Sequence, residues 1–217
     1  MPSTSQAPLS SAERATIRLE RRLGADQIER RERLLEAARG LASEGGYAAV
    51  TMRSVAERAA LGLATVYRYF SSKDHLIAEV HAARGREVAR ALQADPPEGA
   101  DARERVAQVC ARLVDVVADD LELAAACVMA LASGDPAASS SPQWQTMVIR
   151  PCMEAALDAE DVGDREEVCD LVGHLVFAVM VGLTTGQHSR ESANVLLDAA
   201  ARRILGGPRT RAETRAK

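Results

Sequence analysis

The segment from Thr51 to Phe70 carries side chains suited to binding a polyanion. Its polar members are predicted to face outward on two short helices. They are Arg53, Thr65, Tyr67, Arg68 and Tyr69, with Lys73 just beyond. From Gly62 to Ser72 the chain has no carboxylate, which would repel a phosphate backbone. Hydroxyl and guanidinium donors on such a face indicate contact with duplex DNA.

Apolar residues at helical spacing position these donors. Val55 and Ala59 are predicted to face inward on the first short helix, and Val66 and Phe70 on the second. The linking residues 60–62 have the length of the tight turn in a helix-turn-helix. The pattern therefore predicts a helix-turn-helix that displays the basic face.

The rest of the chain favours an all-α fold. Of its 217 residues, 47% are hydrophobic but only 3% are aromatic, so Ala, Leu, Val and Met must build the core. Periodicity and capping signals predict about nine helices. No stretch approaches the roughly 18 uncharged apolar residues of a membrane span, and the N-terminus is polar. We expect a cytoplasmic protein with no membrane contact.

The run from Arg31 to Val80 resembles the DNA-binding domain of TetR-family transcriptional regulators. The matching features are a first helix ending at Gly45-Gly46-Tyr47, then Thr51, Val55-Ala56, Thr65-Val66-Tyr67-Arg68-Tyr69-Phe70 and Lys73. By motif the resemblance covers about a quarter of the chain, and the remainder matches in length and helicity. Ala60 departs from the pattern, because many members have Gly at this point of the turn. Ala adopts the required conformation at modest cost.

The resemblance implies a role for each residue of the basic face. Leu63 and Ala64 would be the first residues of the recognition helix and would lie in the major groove. The forked guanidinium of Arg53 would recognise guanine. Phosphate contacts would come from Thr51, Thr65, Tyr67 and Lys73. Two alternatives stay open: Tyr69 packs against the first helix, and Arg68 is a solvated surface charge. The predicted DNA-contacting residues are Thr51, Arg53, Leu63, Ala64, Thr65, Tyr67, Arg68, Tyr69 and Lys73.

Predicted breaks between helices and the uneven distribution of charge divide the chain into segments. We expect a basic, partly disordered N-terminal extension (1–26), a helix-turn-helix domain (27–72), an effector-binding and dimerisation domain (73–205) and a disordered basic tail (206–217). Residues 11–90 have a net charge of +4, and residues 91–217 have −8. Only the front half is therefore expected to meet DNA. The Arg-rich segment from Arg14 to Arg33 is interpreted either as a minor-groove arm or as a solvated helix.

The C-terminal half carries no catalytic motif. It has no P-loop, dinucleotide glycine fingerprint, H-E-x-x-H or G-x-S-x-G sequence, so we expect no enzyme, cofactor or metal. Its four cysteines are predicted to be small buried hydrophobes. The resemblance implies that this half binds a small effector and forms a homodimer through its last two helices.

Methionine and leucine side chains indicate a pocket for an elongated apolar molecule, such as a lipid, a steroid or an acyl-CoA. For each candidate the alternative is plain core packing, and for His174 a satisfied core or interface histidine. The candidate pocket residues are Val109, Leu113, Val128, Met129, Trp144, Met147, Val148, His174, Phe177 and Met180.

The apolar helix predicted over residues 164–187 must be buried on more than one face, which indicates a dimer contact. We expect Glu at Val179 or Leu183 to yield monomers with lost operator affinity. The predicted function is a repressor on a palindromic operator, released by a small apolar effector that moves the helix from Ser72 to about Gln93. Two alternatives stay open: a ligand-independent DNA-binding regulator, and a helical small-molecule-binding protein.

Overall fold

A computed structural model describes residues 24–139, 149–157 and 165–206. Within these ranges it is all-α, as predicted, with ten helices and no strand. The helices are α1 Ala25–Ala49, α2 Met52–Arg58, α3 Leu63–Tyr69, α4 Lys73–Ala94, α5 Ala102–Ala118, α6 Leu121–Leu131, α7 Pro136–Ser139, α8 Arg150–Glu154, α9 Arg165–Thr184 and α10 Arg190–Leu205. Most of the N-terminal extension and nearly all of the basic tail lie outside the described residues.

The helix-turn-helix begins with a side-chain cap at Thr51. The Thr51 hydroxyl accepts a hydrogen bond from the Ser54 backbone N–H at 3.0 Å, and the Ser54 hydroxyl accepts one from the Thr51 N–H at 2.9 Å. This reciprocal pair forms a capping box and satisfies two backbone donors at the start of α2. Val50 and Val55, on either side of the cap, are fully buried. Local sequence therefore determines where α2 starts.

The turn after α2 is a Schellman motif with Ala60 in the left-handed conformation. Ala60 has a φ of 51°, and it is the one non-glycine residue of the described ranges with positive φ. The Leu61 N–H donates to the Ala56 carbonyl at 2.9 Å, and the Ala60 N–H donates to the Glu57 carbonyl at 3.1 Å. These bonds direct the chain from α2 into α3. The turn thus forms without glycine, at a steric cost.

The first helix is interrupted where the glycines predicted its end. Gly45 and Gly46 have non-helical backbone angles inside α1, and Gly46 has a φ of 63°. A Cβ atom on Gly46 would lie 2.8 Å from a carboxylate oxygen of Glu122 on α6. Glycine is favoured here because the backbone adopts a positive φ, whereas the end of the flexible Glu122 side chain could move aside.

The front hydrophobic cluster joins the helix-turn-helix to the larger helical region. Leu34 of α1 and Val66 of α3 are fully buried in it, as is Leu76 of α4. Leu123 and Ala126 of α6 complete the same cluster. The core of the DNA-binding region therefore continues past residue 72 into α4 and α6.

The second cluster joins the end of α4 to α5, α8, α9 and α10. By length and composition α9 is the one described helix that is apolar enough to cross a membrane, which corrects the expectation that no stretch approaches such a span. Half of that stretch is buried inside the protein. Val179 and Leu183 of α9 are only 2% and 6% exposed and belong to this core. Glu at either position would bury an unpaired carboxylate and cost folding stability, so a loss of the dimer would not be the only expected effect of these substitutions.

We predict that Ala60→Gly stabilises the protein. Glycine removes the Cβ clash of the left-handed conformation but gains entropy in the unfolded chain. The net effect should be about 0.5–1 kcal/mol, which corresponds to a rise of about 1–4 °C in the thermal midpoint. The control is Ala91→Gly on an exposed helical position of α4, where the midpoint should fall. A fall in both variants would contradict the strain assigned to Ala60.

Candidate nucleic-acid interface and effector cavity

Most of the predicted DNA-contacting residues are exposed on α2, its N-cap and α3, and we call their exposed sides the outward face. Leu63 and Tyr67 are large apolar or aromatic side chains left 39% and 55% exposed. Arg53, on the first turn of α2, is also exposed. No ion pair among the described residues involves Arg53. The guanidinium of Arg53 is therefore available to a ligand. The other exposed members are Thr51, Ala64 and Arg68, and Thr65 is partly buried.

Tyr69 faces the protein more than the outside. Its hydroxyl is buried and has no hydrogen-bond partner among the described residues. The Arg68 guanidinium lies 5.2 Å from the centre of the Tyr69 ring, in a cation–π contact. This arrangement favours the packing interpretation of Tyr69 over a base contact. It also holds Arg68 at the edge of the outward face.

Lys73 connects the end of the first helix to the start of α4. Its ammonium donates to the Tyr47 carbonyl at 3.0 Å and lies 3.4 Å from the centre of the Tyr47 ring. The Tyr47 hydroxyl donates to Asp74 at 2.6 Å, and this bond raises the pKa of Tyr47 to about 12. Desolvation lowers the pKa of Lys73. An ammonium has three N–H donors, so the predicted phosphate contact would share Lys73 with its own chain.

The recognition helix α3 is held from its inner side. Val66 and Phe70 are 0% and 1% exposed. Arg31 of α1 lies over the Phe70 ring at 5.6 Å and forms an ion pair with Glu79 of α4. Arg33 of α1 donates to the Ala59 carbonyl at the end of α2. Arg31 and Arg33, which the sequence suggested for a basic arm, thus have structural partners here.

A cavity with an empty volume of about 560 Å³, including its opening to solvent, lies between α4, α5, α6 and α9. Its lining is mostly apolar. The lining residues are His81, Arg84, Gly85, Val88, Leu113, Val116, Val117, Leu123, Ala124, Cys127, Ile149, Val176, Phe177 and Met180.

Three of the predicted pocket residues line this cavity: Leu113, Phe177 and Met180. The other described candidates lie elsewhere. Val109 is fully buried in the core, Val128 is partly buried away from the cavity, Met129 is 53% exposed, and His174 is exposed with its Nδ1 2.7 Å from the Asp170 carbonyl. Trp144, Met147 and Val148 lie outside the described residues.

Sequence reasoning missed the polar lining of the cavity. His81 and Arg84 lie one turn apart on α4, and the Arg84 guanidinium donates to the Val116 carbonyl near the end of α5. Burial, reinforced by the Arg84 charge, lowers the pKa of His81 to about 4. Burial also raises the pKa of the Cys127 thiol to about 12, which leaves it unreactive at neutral pH. The i,i+3 spacing of His81 and Arg84 was the one sequence signal that could have indicated this polar lining.

Two helices lie between the cavity and the DNA-facing helices. The first turns of α4 are buried in the front cluster, while residues further along α4 line the cavity. On α6, Leu123 and Cys127 belong to both the front cluster and the cavity wall. Ser43 of α1 donates to the Asp120 carboxylate at 2.5 Å, and Asp120 also caps α6. The helix α6 therefore contacts both the cavity and α1.

The outer sides of α9 and α10 expose apolar side chains. Leu171 of α9 is 46% exposed, and Val195 and Leu196 of α10 are 62% and 42% exposed. Ala178 of α9 is also exposed. This face, which we call the α9–α10 face, is unusually apolar for a solvated surface.

Comparisons with known proteins agree with this architecture. Residues 34–80 match the family described as bacterial regulatory proteins, tetR family. The HTH-type transcriptional repressor KstR of Rhodococcus jostii is 30% identical over 215 residues, which cover 98% of this chain and 100% of that protein.

Solved structures share the fold. A TetR transcriptional regulator from Rhodococcus sp. RHA1 has a TM-score of 0.75 at 24% identity, covering 83% of this chain and 97% of that one. The FadR regulator of Bacillus subtilis, in complex with stearoyl-CoA, has a TM-score of 0.56 at 15% identity, covering 82% and 99%. From its helix-turn-helix, its full-length similarity to a repressor and its fold, this chain belongs to the TetR family of bacterial transcriptional regulators.

Proposed function

We propose that the protein is a homodimeric, cytoplasmic repressor whose binding to a palindromic operator is released by a small, mostly apolar effector. One observation carries the proposal: the walls of the apolar cavity include α4 and α6, and both helices also enter the core beneath α3. An occupant of the cavity would thereby change the support of the recognition helix. The complex of the FadR structure with stearoyl-CoA supports a lipid-like effector.

In the proposed complex, α3 enters the major groove and α2 lies across the backbone. Leu63 and Ala64 offer apolar contacts to thymine methyl groups, and Arg53 reads guanine. Thr51, Thr65, Tyr67 and Lys73 hold phosphates, with Arg68 at the edge. We leave Tyr69 out of the base contacts because its hydroxyl is buried.

The effector would act through the spacing of the two recognition helices. In a dimer both must enter successive major grooves, about 34 Å apart. An effector that prefers a different position of α4 and α6 would draw the protein away from the DNA-binding arrangement. About 3 kcal/mol of coupling would weaken operator binding by more than a hundredfold.

We predict that Arg53→Ala weakens operator binding by about 1–3 kcal/mol and relaxes the preference at one base pair, because a bidentate guanine contact is lost. Gel shifts on operator variants and on random DNA would measure this. Arg58→Ala is the matched control, since Arg58 lies on the same helix but is paired with Glu44 at 2.8 Å. Equal losses on operator and random DNA would make Arg53 a phosphate contact instead.

We predict that Leu171→Glu separates the dimer, because it places a charge on the α9–α10 face without disturbing the core. Sedimentation should show monomers at micromolar concentration, with operator affinity lost as well. The control is Leu121→Glu, since Leu121 is 45% exposed at the start of α6 and lies off this face. Wild-type protein that sediments as a monomer would contradict the proposed interface.

We predict that effector and operator weaken each other's binding by the same factor, as thermodynamic linkage requires. Stearoyl-CoA, lauric acid and a steroid acid would be titrated into the protein with and without the DNA upstream of its own gene. Dissociation constants that rise with DNA present would support release by the effector. A probe that binds equally well in both titrations would favour ligand-independent regulation.

A further inference from the structure

The cavity holds one cation and no acid. Arg84 is the only lysine or arginine among its described lining residues, and Asp and Glu are absent from that lining. No ion pair among the described residues includes Arg84. Its guanidinium is partly buried and donates to the Val116 carbonyl. The walls around it come from side chains such as Val88, Leu113 and Met180.

This arrangement leaves Arg84 with unused binding capacity. A guanidinium has five N–H donors in a fixed fork, and the carbonyl of Val116 is the one acceptor it meets in the described chain. Burying a charge beside apolar walls is costly unless an opposite charge joins it. An occupant with a negatively charged end would remove that cost.

The neighbouring histidine does not add a second charge. With the pKa of His81 at about 4, its ring is neutral at pH 7. The described lining therefore has a charge of +1, which a monoanion balances. A phosphate dianion would leave an excess negative charge inside an apolar cavity. A carboxylate also matches the guanidinium fork in geometry, because its two oxygens accept two parallel N–H bonds.

We propose that the effector is an apolar carboxylic acid whose carboxylate binds Arg84 while its hydrocarbon body lies against the apolar walls of the cavity. This inference rests on the proposed effector site and gives that site a ligand class. The carboxylate would accept from guanidinium N–H groups that the Val116 carbonyl does not use. Since Val116 lies on α5 and Arg84 on α4, an occupant held by Arg84 would bear on the contact between these helices and so act on the helix that supports α3.

Wild-type protein provides the first test. Isothermal titration would compare laurate with dodecanol, which has the same chain with a neutral hydroxyl end. A second arm would compare lithocholic acid with its methyl ester, so that linear and fused-ring acids are distinguished. We expect at least one acid to bind ten times more tightly than its neutral partner. Equal binding of acid and neutral partner in both arms would overturn the carboxylate inference but leave the effector site standing. If no probe bound, the effector site itself would fail.

Variants at Arg84 provide the second test. In Arg84→Met, the affinity for the acid should fall at least tenfold, while the affinity for its neutral partner should change less than threefold. Arg84→Lys keeps the charge and should retain most of the preference for the acid. The matched control is Arg90→Met, because Arg90 is exposed on α4 and does not line the cavity. It should bind as the wild type does.

Circular dichroism and melting of each unliganded variant would verify folding, since Arg84 also bonds to Val116. If Arg84→Met does not fold, Arg84→Lys and the wild-type comparison still decide the question. An Arg84→Met protein that folds and keeps the full preference for the acid would overturn the inference.

Discussion

The burial of α6 between the first helix and the cavity is the interaction on which the rest of the structure depends. Leu123, Ala126 and Cys127 leave water by packing against the helix-turn-helix region, and two of them also form the cavity wall. The burial of Leu123 alone contributes about 1.5–3 kcal/mol, and the smaller Ala126 and Cys127 contribute less. The DNA-facing helices therefore fold on a surface that the larger helical region provides, and the two regions share one core.

The recognition helix shows why that support is needed. Seven residues are too few for an isolated helix to be stable in water, so α3 depends on tertiary contacts. Those contacts come from the burial of Val66 and Phe70 and from the arginines of α1 that meet Phe70 and the end of α2. The exposed sides of α2 and α3 are then left to residues such as Arg53 and Tyr67. The core contacts of α3 and its proposed DNA contacts are thus made by opposite sides of this short helix.

Local signals predicted most of the helix boundaries. Thr51 caps α2, Asp101 caps α5 and Ser189 caps α10, each by a side chain that accepts from a backbone N–H three residues on. Such caps are readable because the interaction spans one turn of chain. The cavity was less predictable, because periodicity shows which face of a helix is apolar but not where packing leaves a gap. Val109 and Leu113 lie on one face of α5, yet only Leu113 lines the cavity.

The polar residues of the cavity could not be predicted from the sequence for a related reason. Arg84 and His81 resemble the solvated residues of any amphipathic helix, and only the packing of α5 and α6 against α4 encloses them. The same enclosure would let α4 respond to an occupant of the cavity. Its first turns are fixed by Leu76 and Ile77, which are 0% and 1% exposed, while its middle borders a space that an occupant can fill. Densely packed cores shift between discrete arrangements rather than deform continuously. In the proposed mechanism, a ligand that moves the middle of α4 would therefore change the packing of its start, and with it the position of α3.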